Sequence, residues 1–184
     1  MSTPSNPWKT LGSRIAYENA WIRIREDRVI RPDGHEGIYG VVEMRPSVGV
    51  IAVNEAREVV LVGQWRYPLG RYSWEIPRGG SGPGELDLEA VARRELQEEA
   101  GVQAHRWQPL GAVDLNNGVT SDVEHLFLAT DLKMCDRSLD PEEELEVRWV
   151  PFETAVQMAL DGRITEVCSI AGIFMAAQTG IARR

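Results

Sequence analysis

The strongest constraint on the fold of this chain is a helix-forming segment that ends in a cluster of glutamates. Residues 87–100 are good helix formers, and Gly101 directly after them is a natural stop. One apolar stripe along this helix, at about 100° per residue, consists of Leu88, Ala92, Leu96 and Ala100. Glu95 and Glu99 lie about 40° apart at the edge of this stripe, and Glu98 lies beside them. The sequence therefore predicts an amphipathic helix whose three last carboxylates avoid its fully exposed face.

Carboxylates placed so close to an apolar stripe need a compensating charge. Acids three and four residues apart on a helix repel each other by about 0.2–0.5 kcal/mol per pair. Partial burial raises the cost to several kcal/mol for each uncompensated charge. A hard divalent ion supplies the missing charge, because Mg²⁺ is commonly bound by a few carboxylates together with substrate phosphates. The alternative is an acidic helix whose charges face water, but the geometry favours a metal site.

The spacing of the glutamates resembles a known signature. Gly79, five further residues and Glu85, followed by the run 94–102 (RELQEEAGV), are similar to the signature of the Nudix hydrolase family. Residues 94–102 match the second half of that signature at every defined position. Eight residues instead of seven separate Glu85 from this run, so strict spacing puts Leu86 in the place of the first glutamate. A one-residue bulge in the turn at 84–88 would reconcile the two halves, and Glu85 is given no ligand role.

The resemblance implies a role for each matching residue. Glu95 and Glu99, and then Glu98, would bind divalent ions, with Mg²⁺ as the expected cofactor and Mn²⁺ as an alternative. Arg94 would brace the acidic cluster, and Arg94 and Glu98 are counted with the catalytic residues. A backbone carbonyl beside Gly79 would add a further metal ligand. The implied fold is a Nudix-type α/β/α sandwich with a mixed central sheet and a small N-terminal antiparallel β-sheet.

Sequence outside the signature resembles the ADP-ribose pyrophosphatase branch of that family. The segments 64–68 (QWRYP) and 74–80 (WEIPRGG) carry this likeness, as does the tail from residue 145. Arg66 is the best candidate for a substrate phosphate, because guanidinium groups pair with phosphate oxygens through two bonds; the alternative is a surface ion pair. Glu75 and Arg78 are placed with it in the substrate site. Trp21 is a candidate for stacking on the base, with core packing as the alternative.

A second acidic element lies in the segment 141–144 (PEEE), which the branch places before the penultimate helix. In the functional interpretation Glu143 completes the metal site, or Glu142, Glu143 or Glu144 deprotonates the attacking water. A carboxylate suffices as the base because metal-bound water is already acidified. The alternative interpretation is a solvated acidic turn. Which of the three acids acts is left open.

The order of the patterns predicts an α/β (α+β) domain with a small N-terminal part. A polar tail and alternating segments at 15–30 and 38–44 predict a small antiparallel sheet, which divides the chain into 1–44 and a Nudix domain at 45–184. Further strands are predicted at 48–53, 59–64, 72–76, 111–115, 125–131 and 145–151, and further helices at 153–160 and 167–178. Homodimerisation is expected only from the resemblance.

Composition excludes several classes of function. The net charge is −8, from 28 acids and 20 bases, which argues against binding to nucleic acid or to an anionic membrane. No stretch approaches the roughly 20 apolar residues of a membrane span, and the N-terminus has no apolar signal segment. Cytoplasmic residence is therefore the expectation. The two cysteines, Cys135 and Cys168, have no spacing typical of a metal site or disulfide framework.

Together these patterns predict Mg²⁺-dependent cleavage of a pyrophosphate bond in a small nucleotide substrate. ADP-ribose, cut to AMP and ribose 5-phosphate, is the preferred substrate. The alternatives within the enzyme class are another nucleotide sugar, such as GDP-mannose, and a nucleoside triphosphate. A further alternative is a catalytically silent Nudix-fold module that only binds its ligand, which the irregular spacing after Glu85 keeps open.

Overall fold

The computed structural model describes residues 5–138 and 144–181 of the chain. Within these ranges it contains ten strands and three α-helices, which confirms the predicted α/β (α+β) class. The strands are β1 (Lys9–Glu18), β2 (Arg23–Ile30), β3 (Glu36–Glu43), β4 (Ser47–Ala52), β5 (Glu58–Arg66), β6 (Arg71–Glu75), β7 (Arg78–Gly80), β8 (Val102–Asp114), β9 (Val123–Met134) and β10 (Glu146–Pro151). The helices are α1 (Leu88–Ala100), α2 (Phe152–Leu160) and α3 (Val167–Gln178), and a short 3-10 helix spans Tyr67–Leu69.

The chain divides into two compact units. The first comprises Met1–Arg45 and Asp114–Val123, and the second comprises Pro46–Val113 and Glu124–Arg184. In the first unit β1, β2 and β3 form an antiparallel sheet in that order. The turn between β1 and β2 is held by Asn19, whose Oδ1 accepts hydrogen bonds from two backbone N–H groups at 2.9 Å. The predicted small N-terminal sheet is therefore present.

In the second unit, a mixed sheet is built around β4. All six residues of β4 are buried, and the strand pairs with β9 in parallel and with β7 in antiparallel orientation. Because side chains alternate along a strand, β4 has two apolar faces. Val48 and Val50 belong to the core cluster that includes α1, whereas Ile51 lies against Gly172 of α3. The two helices therefore cover opposite faces of β4, which gives the predicted helix–sheet–helix layers.

The helix α1 forms because its ends and its inner face all favour it. The Asp87 side chain accepts a hydrogen bond from the Ala90 N–H at 3.1 Å and caps the first turn. Gly101 ends the helix in the left-handed conformation, with φ of 66°. The buried residues of α1 are Val91, Ala92, Glu95, Leu96, Glu99 and Ala100. The predicted helix and the predicted burial at the edge of its apolar stripe are confirmed.

The strands β1 and β8 are longer than the sequence predicted. β1 already begins at Lys9, inside a stretch that carried no strong strand pattern. β8 starts directly after Gly101 and runs for 13 residues, whereas the sequence predicted a strand only at 111–115. Most of β8 is exposed or half-buried, so its side chains lack the regular alternation that indicates a strand. No helix among the described residues is long and apolar enough to cross a membrane.

Candidate active site

The candidate site forms where the short strand β7 meets the buried edge of α1. Glu95 and Glu99 are only 9% and 3% exposed. The backbone N–H of Arg78 donates to Glu99 Oε2 at 2.9 Å. A Cβ built on Gly79 would overlap the Glu95 carboxylate, so the absence of a side chain lets the β7 backbone approach that group. The chain thus brings two buried carboxylates to the backbone of one three-residue strand.

Arg94 connects the acids of this cluster. Its Nη1 lies 2.8 Å from Glu95 Oε1 and 2.9 Å from Glu98 Oε2, and its Nη2 lies 3.5 Å from Glu85 Oε2. Burial lowers the pKa of Arg94, but the neighbouring carboxylates outweigh that effect, and its pKa is raised overall. These contacts suit the bracing role that the resemblance implies.

The connection between β7 and α1 contains a turn at residues 82–85. The Glu85 N–H donates to the Gly82 carbonyl at 3.2 Å, and Gly84 adopts a positive φ of 79°. The Glu85 carboxylate in turn accepts a hydrogen bond from the Gly82 N–H at 2.6 Å. Glu85 therefore stabilises the turn and reaches the cluster only through Arg94.

Arg66 and Glu75 form an ion pair across the β5–β6 hairpin. Arg66 Nε donates to Glu75 Oε1 at 2.9 Å, and Nη2 donates to Oε2 at 2.5 Å. Burial opposes ionisation of Glu75, but the bonds from Arg66 prevail, so the pKa of Glu75 lies below its usual value. Glu75 is 1% exposed, whereas the Arg66 side chain is 32% exposed. Glu75 therefore binds Nε and Nη2 of Arg66, while about a third of the Arg66 side chain stays exposed to solvent.

This ion pair lines a cavity of about 290 Å³. Among the other residues in its wall are Ser73, Arg78 and Thr165. Of the positions predicted for the substrate site, Arg66, Glu75 and Arg78 are therefore brought together. Whether they contact a substrate stays a prediction.

A buried pair between Arg78 and Glu124 was not predicted from the sequence. Arg78 Nε donates to both carboxylate oxygens of Glu124, at 3.2 and 3.0 Å, and Nη2 makes a third bond. Glu124 is fully buried, and it raises the pKa of Arg78 against the opposing effect of burial. The only sequence signal was an acidic residue at the beginning of a strongly apolar strand, which requires a buried cation.

The remaining predicted residues are placed as follows. Trp21 lies within the β1–β2 turn of the first unit and is 76% exposed, so the alternative of core packing is wrong. Glu144 is exposed, whereas Glu142 and Glu143 lie outside the described residues. In the ranges 5–138 and 144–181, no group of three or more histidine, cysteine or acidic side chains is arranged to hold a metal ion.

Comparison with known proteins identifies the family. The NUDIX domain matches residues 43–167, which includes the whole of β7 and α1. The chain belongs to the Nudix family. Residues 8–42 match the nucleoside diphosphate sugar hydrolase N-terminal domain. The predicted Nudix hydrolase is therefore confirmed, and Nudix hydrolases generally use divalent metal ions.

Individual relatives agree with this assignment. An ADP-ribose pyrophosphatase of Mycobacterium tuberculosis is 31% identical over 180 residues, covering 96% of this chain and 87% of that protein. An ADP-ribose pyrophosphatase of Bacillus subtilis is 32% identical over 152 residues, covering 82% of each. A crystal structure of an ADP compounds hydrolase shares the fold, with a TM-score of 0.84 at 18% identity over 99% of this Nudix chain and 98% of that one. The two sequence relatives are thus ADP-ribose pyrophosphatases, and the structural similarity shows the fold.

Proposed function

We propose that this Nudix hydrolase cleaves the pyrophosphate bond of ADP-ribose and releases AMP and ribose 5-phosphate, with Mg²⁺ as its cofactor. The observation that carries the proposal is the pair of buried carboxylates, Glu95 and Glu99, packed against the backbone of β7. The choice of ADP-ribose is supported by the two relatives of that activity, which extend over most of the chain.

The residues present fit a hard divalent cation. Glu95, Glu98 and Glu99 offer only oxygen donors, and a carbonyl beside Gly79 adds another; Mg²⁺ prefers such ligands. Gly79 has no side chain and so leaves room for the Glu95 carboxylate beside the β7 backbone. Bound Mg²⁺ neutralises charge on the phosphate oxygens and acidifies water.

The protein's own groups orient the reaction. Arg94 contacts both Glu95 and Glu98 and so keeps their carboxylates on one side of α1. The Arg78 N–H fixes one oxygen of Glu99. Arg66 is bound by Glu75 and partly exposed, and these two observations support its proposed role in binding a phosphate oxygen. Such fixed positions lower the barrier because less motion is lost on reaching the transition state.

The proposed chemical step is a hydrolysis. The oxygen of a water molecule attacks one phosphorus, the bond from that phosphorus to the bridging oxygen breaks, and the bridging oxygen leaves with the other phosphate. Glu143 or Glu142 takes the proton of the water, with Glu144 as the alternative. One water is consumed for each bond cleaved, and AMP and ribose 5-phosphate result.

Substrate profiling with product identification tests this function. Nucleotide sugars, including ADP-ribose and GDP-mannose, and a nucleoside triphosphate are each incubated with the enzyme and Mg²⁺. Chromatography should show AMP and ribose 5-phosphate from ADP-ribose, at a kcat/KM above that of the other substrates. Preference for GDP-mannose would replace the substrate assignment. Mg²⁺-dependent binding without hydrolysis of any substrate would instead indicate a silent binding module.

Glu99→Gln tests the role of the buried carboxylates. The variant should bind Mn²⁺ weakly and lose more than nine-tenths of its kcat, because an amide keeps the size of the side chain and removes its charge. Glu89→Gln is the matched control, since Glu89 lies on the exposed face of α1 and pairs with Arg93. Near wild-type turnover of a folded Glu99→Gln protein would contradict the assignment of Glu99 as a ligand.

We further infer a homodimer and a division into residues 1–44 and 45–184. The two family matches, at residues 8–42 and 43–167, support the division. Exposed apolar residues of the first unit support a second copy as partner, among them Ile15, Tyr17 and Ile38 at 47%, 52% and 69% exposure. Sedimentation of the purified protein at several concentrations measures the oligomeric state. Cytoplasmic residence stays a prediction of the sequence.

A further inference from the structure

A fully buried carboxylate lies behind the candidate site. Glu124 begins the buried part of β9 and accepts its bonds from Arg78 of β7. Ser47 Oγ of β4 donates to Glu124 Oε2 at 3.3 Å. Burial, and after it the charge of Glu124, raises the pKa of the Cys168 thiol of α3. A buried charge is stable only when partners such as Arg78 and Ser47 compensate it. Glu124 therefore connects β7 and β4 to β9.

The pair of Glu124 and Arg78 spans the strand that lies between its two members. In the sheet order β7-β4-β9-β8, β4 separates β7 from β9. Gly49 is the β4 residue opposite Arg78, and a Cβ built on it would lie 2.6 Å from Glu124 Oε1. Glycine at this position leaves the space in which the guanidinium and the carboxylate meet.

The strand β7 depends on such an anchor. It has three residues and lies at the edge of its sheet, with a register of three residue pairs to β4. A short edge strand has few ladder bonds to fix its position. The backbone N–H of Arg78 nevertheless donates a hydrogen bond to Glu99 Oε2, and Gly79 lies against the Glu95 carboxylate. Any displacement of β7 is thus transmitted to both acids.

We propose that Glu124 is a positioning residue that fixes Arg78 and, through the Arg78 backbone N–H, orients Glu99 for metal binding. In this arrangement the Arg78 guanidinium binds Glu124, while the backbone N–H of the same residue donates to Glu99. The inference rests on the proposed role of Glu99 as a metal ligand. It extends the site to a residue that has no solvent exposure and lies two strands away from β7 in the same sheet.

Glu124→Gln tests the proposal, because it keeps the size of the side chain and removes its charge. Mn²⁺ affinity is measured by electron paramagnetic resonance titration without any nucleotide, so the result does not depend on the substrate. We expect the Kd for Mn²⁺ to rise about 10- to 100-fold, the usual cost of losing a group that orients a metal ligand. We also expect kcat to fall, because Glu99 loses its orientation.

Two further variants separate positioning from general destabilisation. Phe152→Leu reduces a fully buried side chain in α2, which packs on β5, β10 and α3. It should lower the melting temperature and leave the Mn²⁺ affinity unchanged. Arg78→Lys keeps the positive charge and loses the forked contact to Glu124. It should also raise the Kd for Mn²⁺. If Glu124→Gln does not fold, Arg78→Lys alone tests the positioning role.

The outcomes distinguish this inference from the proposed function. Wild-type Mn²⁺ affinity in a folded Glu124→Gln or Arg78→Lys protein overturns the positioning role, provided that Glu99→Gln binds Mn²⁺ weakly. An equal loss of Mn²⁺ affinity in Phe152→Leu also overturns it, because the effect is then one of stability. If Glu99→Gln itself binds Mn²⁺ like the wild type, the proposed metal site fails instead.

Discussion

Gly79→Ala probes the closest approach between backbone and carboxylate in the candidate site. The added Cβ would overlap the Glu95 carboxylate carbon and both of its oxygens. The backbone of Gly79 has no positive φ, so the substitution causes no backbone strain and acts only through steric overlap. Either Glu95 moves, which lengthens its 2.8 Å contact with Arg94, or α1 moves away from β7. In both cases the buried acids lose their present arrangement.

The size of the effect follows from that overlap. Inserting a methyl group into a packed site costs about 1–3 kcal/mol. For a chain of 184 residues, each kcal/mol lowers the melting temperature by about 2–4 °C, so a fall of roughly 2–12 °C is expected. Catalysis should suffer more, because misplacing a reacting group by about 1 Å costs on the order of 100-fold in rate. The variant should therefore be folded and nearly inactive.

The neighbouring glycine provides a matched control. Apart from its two chain neighbours, no residue has a heavy atom within 4 Å of a Cβ built on Gly80, so Gly80→Ala should keep kcat within about twofold of the wild type. Both variants are compared by steady-state hydrolysis of ADP-ribose with Mg²⁺ and by thermal unfolding. The reasoning is refuted if Gly79→Ala retains a third of the wild-type kcat, or if Gly80→Ala loses as much activity as Gly79→Ala.

Three further predictions concern stability and substrate binding. The pKa of Glu75 is lower in the folded protein than in the unfolded chain, where it is about 4.3. The ionised carboxylate therefore stabilises the fold above that pH, and this stabilisation is lost as the pH falls through the folded pKa. Glu75→Gln should flatten the acid side of the curve of melting temperature against pH, and an unchanged curve would contradict this. Leu96→Ala removes a fully buried side chain of α1 and should lower the free energy of unfolding by about 2–5 kcal/mol in urea titrations; a loss below about 1 kcal/mol would show that Leu96 is poorly packed. Trp21→Ala should raise the KM for ADP-ribose about tenfold with little change in kcat, because stacking on a base is worth about 1–3 kcal/mol; an unchanged KM would exclude stacking.

Local signals in the sequence were sufficient to locate the helices. Asp87 and Gly101 delimit α1 through a side-chain cap and a left-handed residue, and both signals are readable in the chain. The predicted helix at 167–178 coincides with α3, where Glu166 caps the first turn by accepting from the N–H groups of Cys168 and Ser169. The burial of Glu95 and Glu99 followed from the same periodicity. Contacts within one element are thus predictable from spacing alone.

Contacts between distant elements were not predictable in this way. Arg78 and Glu124 are 46 residues apart, and they meet only because β4 and β9 pair in parallel with Ser47 opposite Glu124. A single sequence does not reveal that register. The strand β7 was also missed, because three residues that contain two glycines have no alternation to detect. The pairing of Arg66 with Glu75 likewise depends on the hairpin geometry of β5 and β6.

The turn between β7 and α1 has a consequence for how this site varies among sequences. The positions of Gly79 and α1 are set by strand pairing and helix packing, while the hydrogen bonds of Gly82 and Glu85 close a local loop. An added residue lengthens that loop without moving either wall of the site. Insertions are therefore expected to accumulate here. The loop also offers an insertion point for a fluorescent reporter of metal binding.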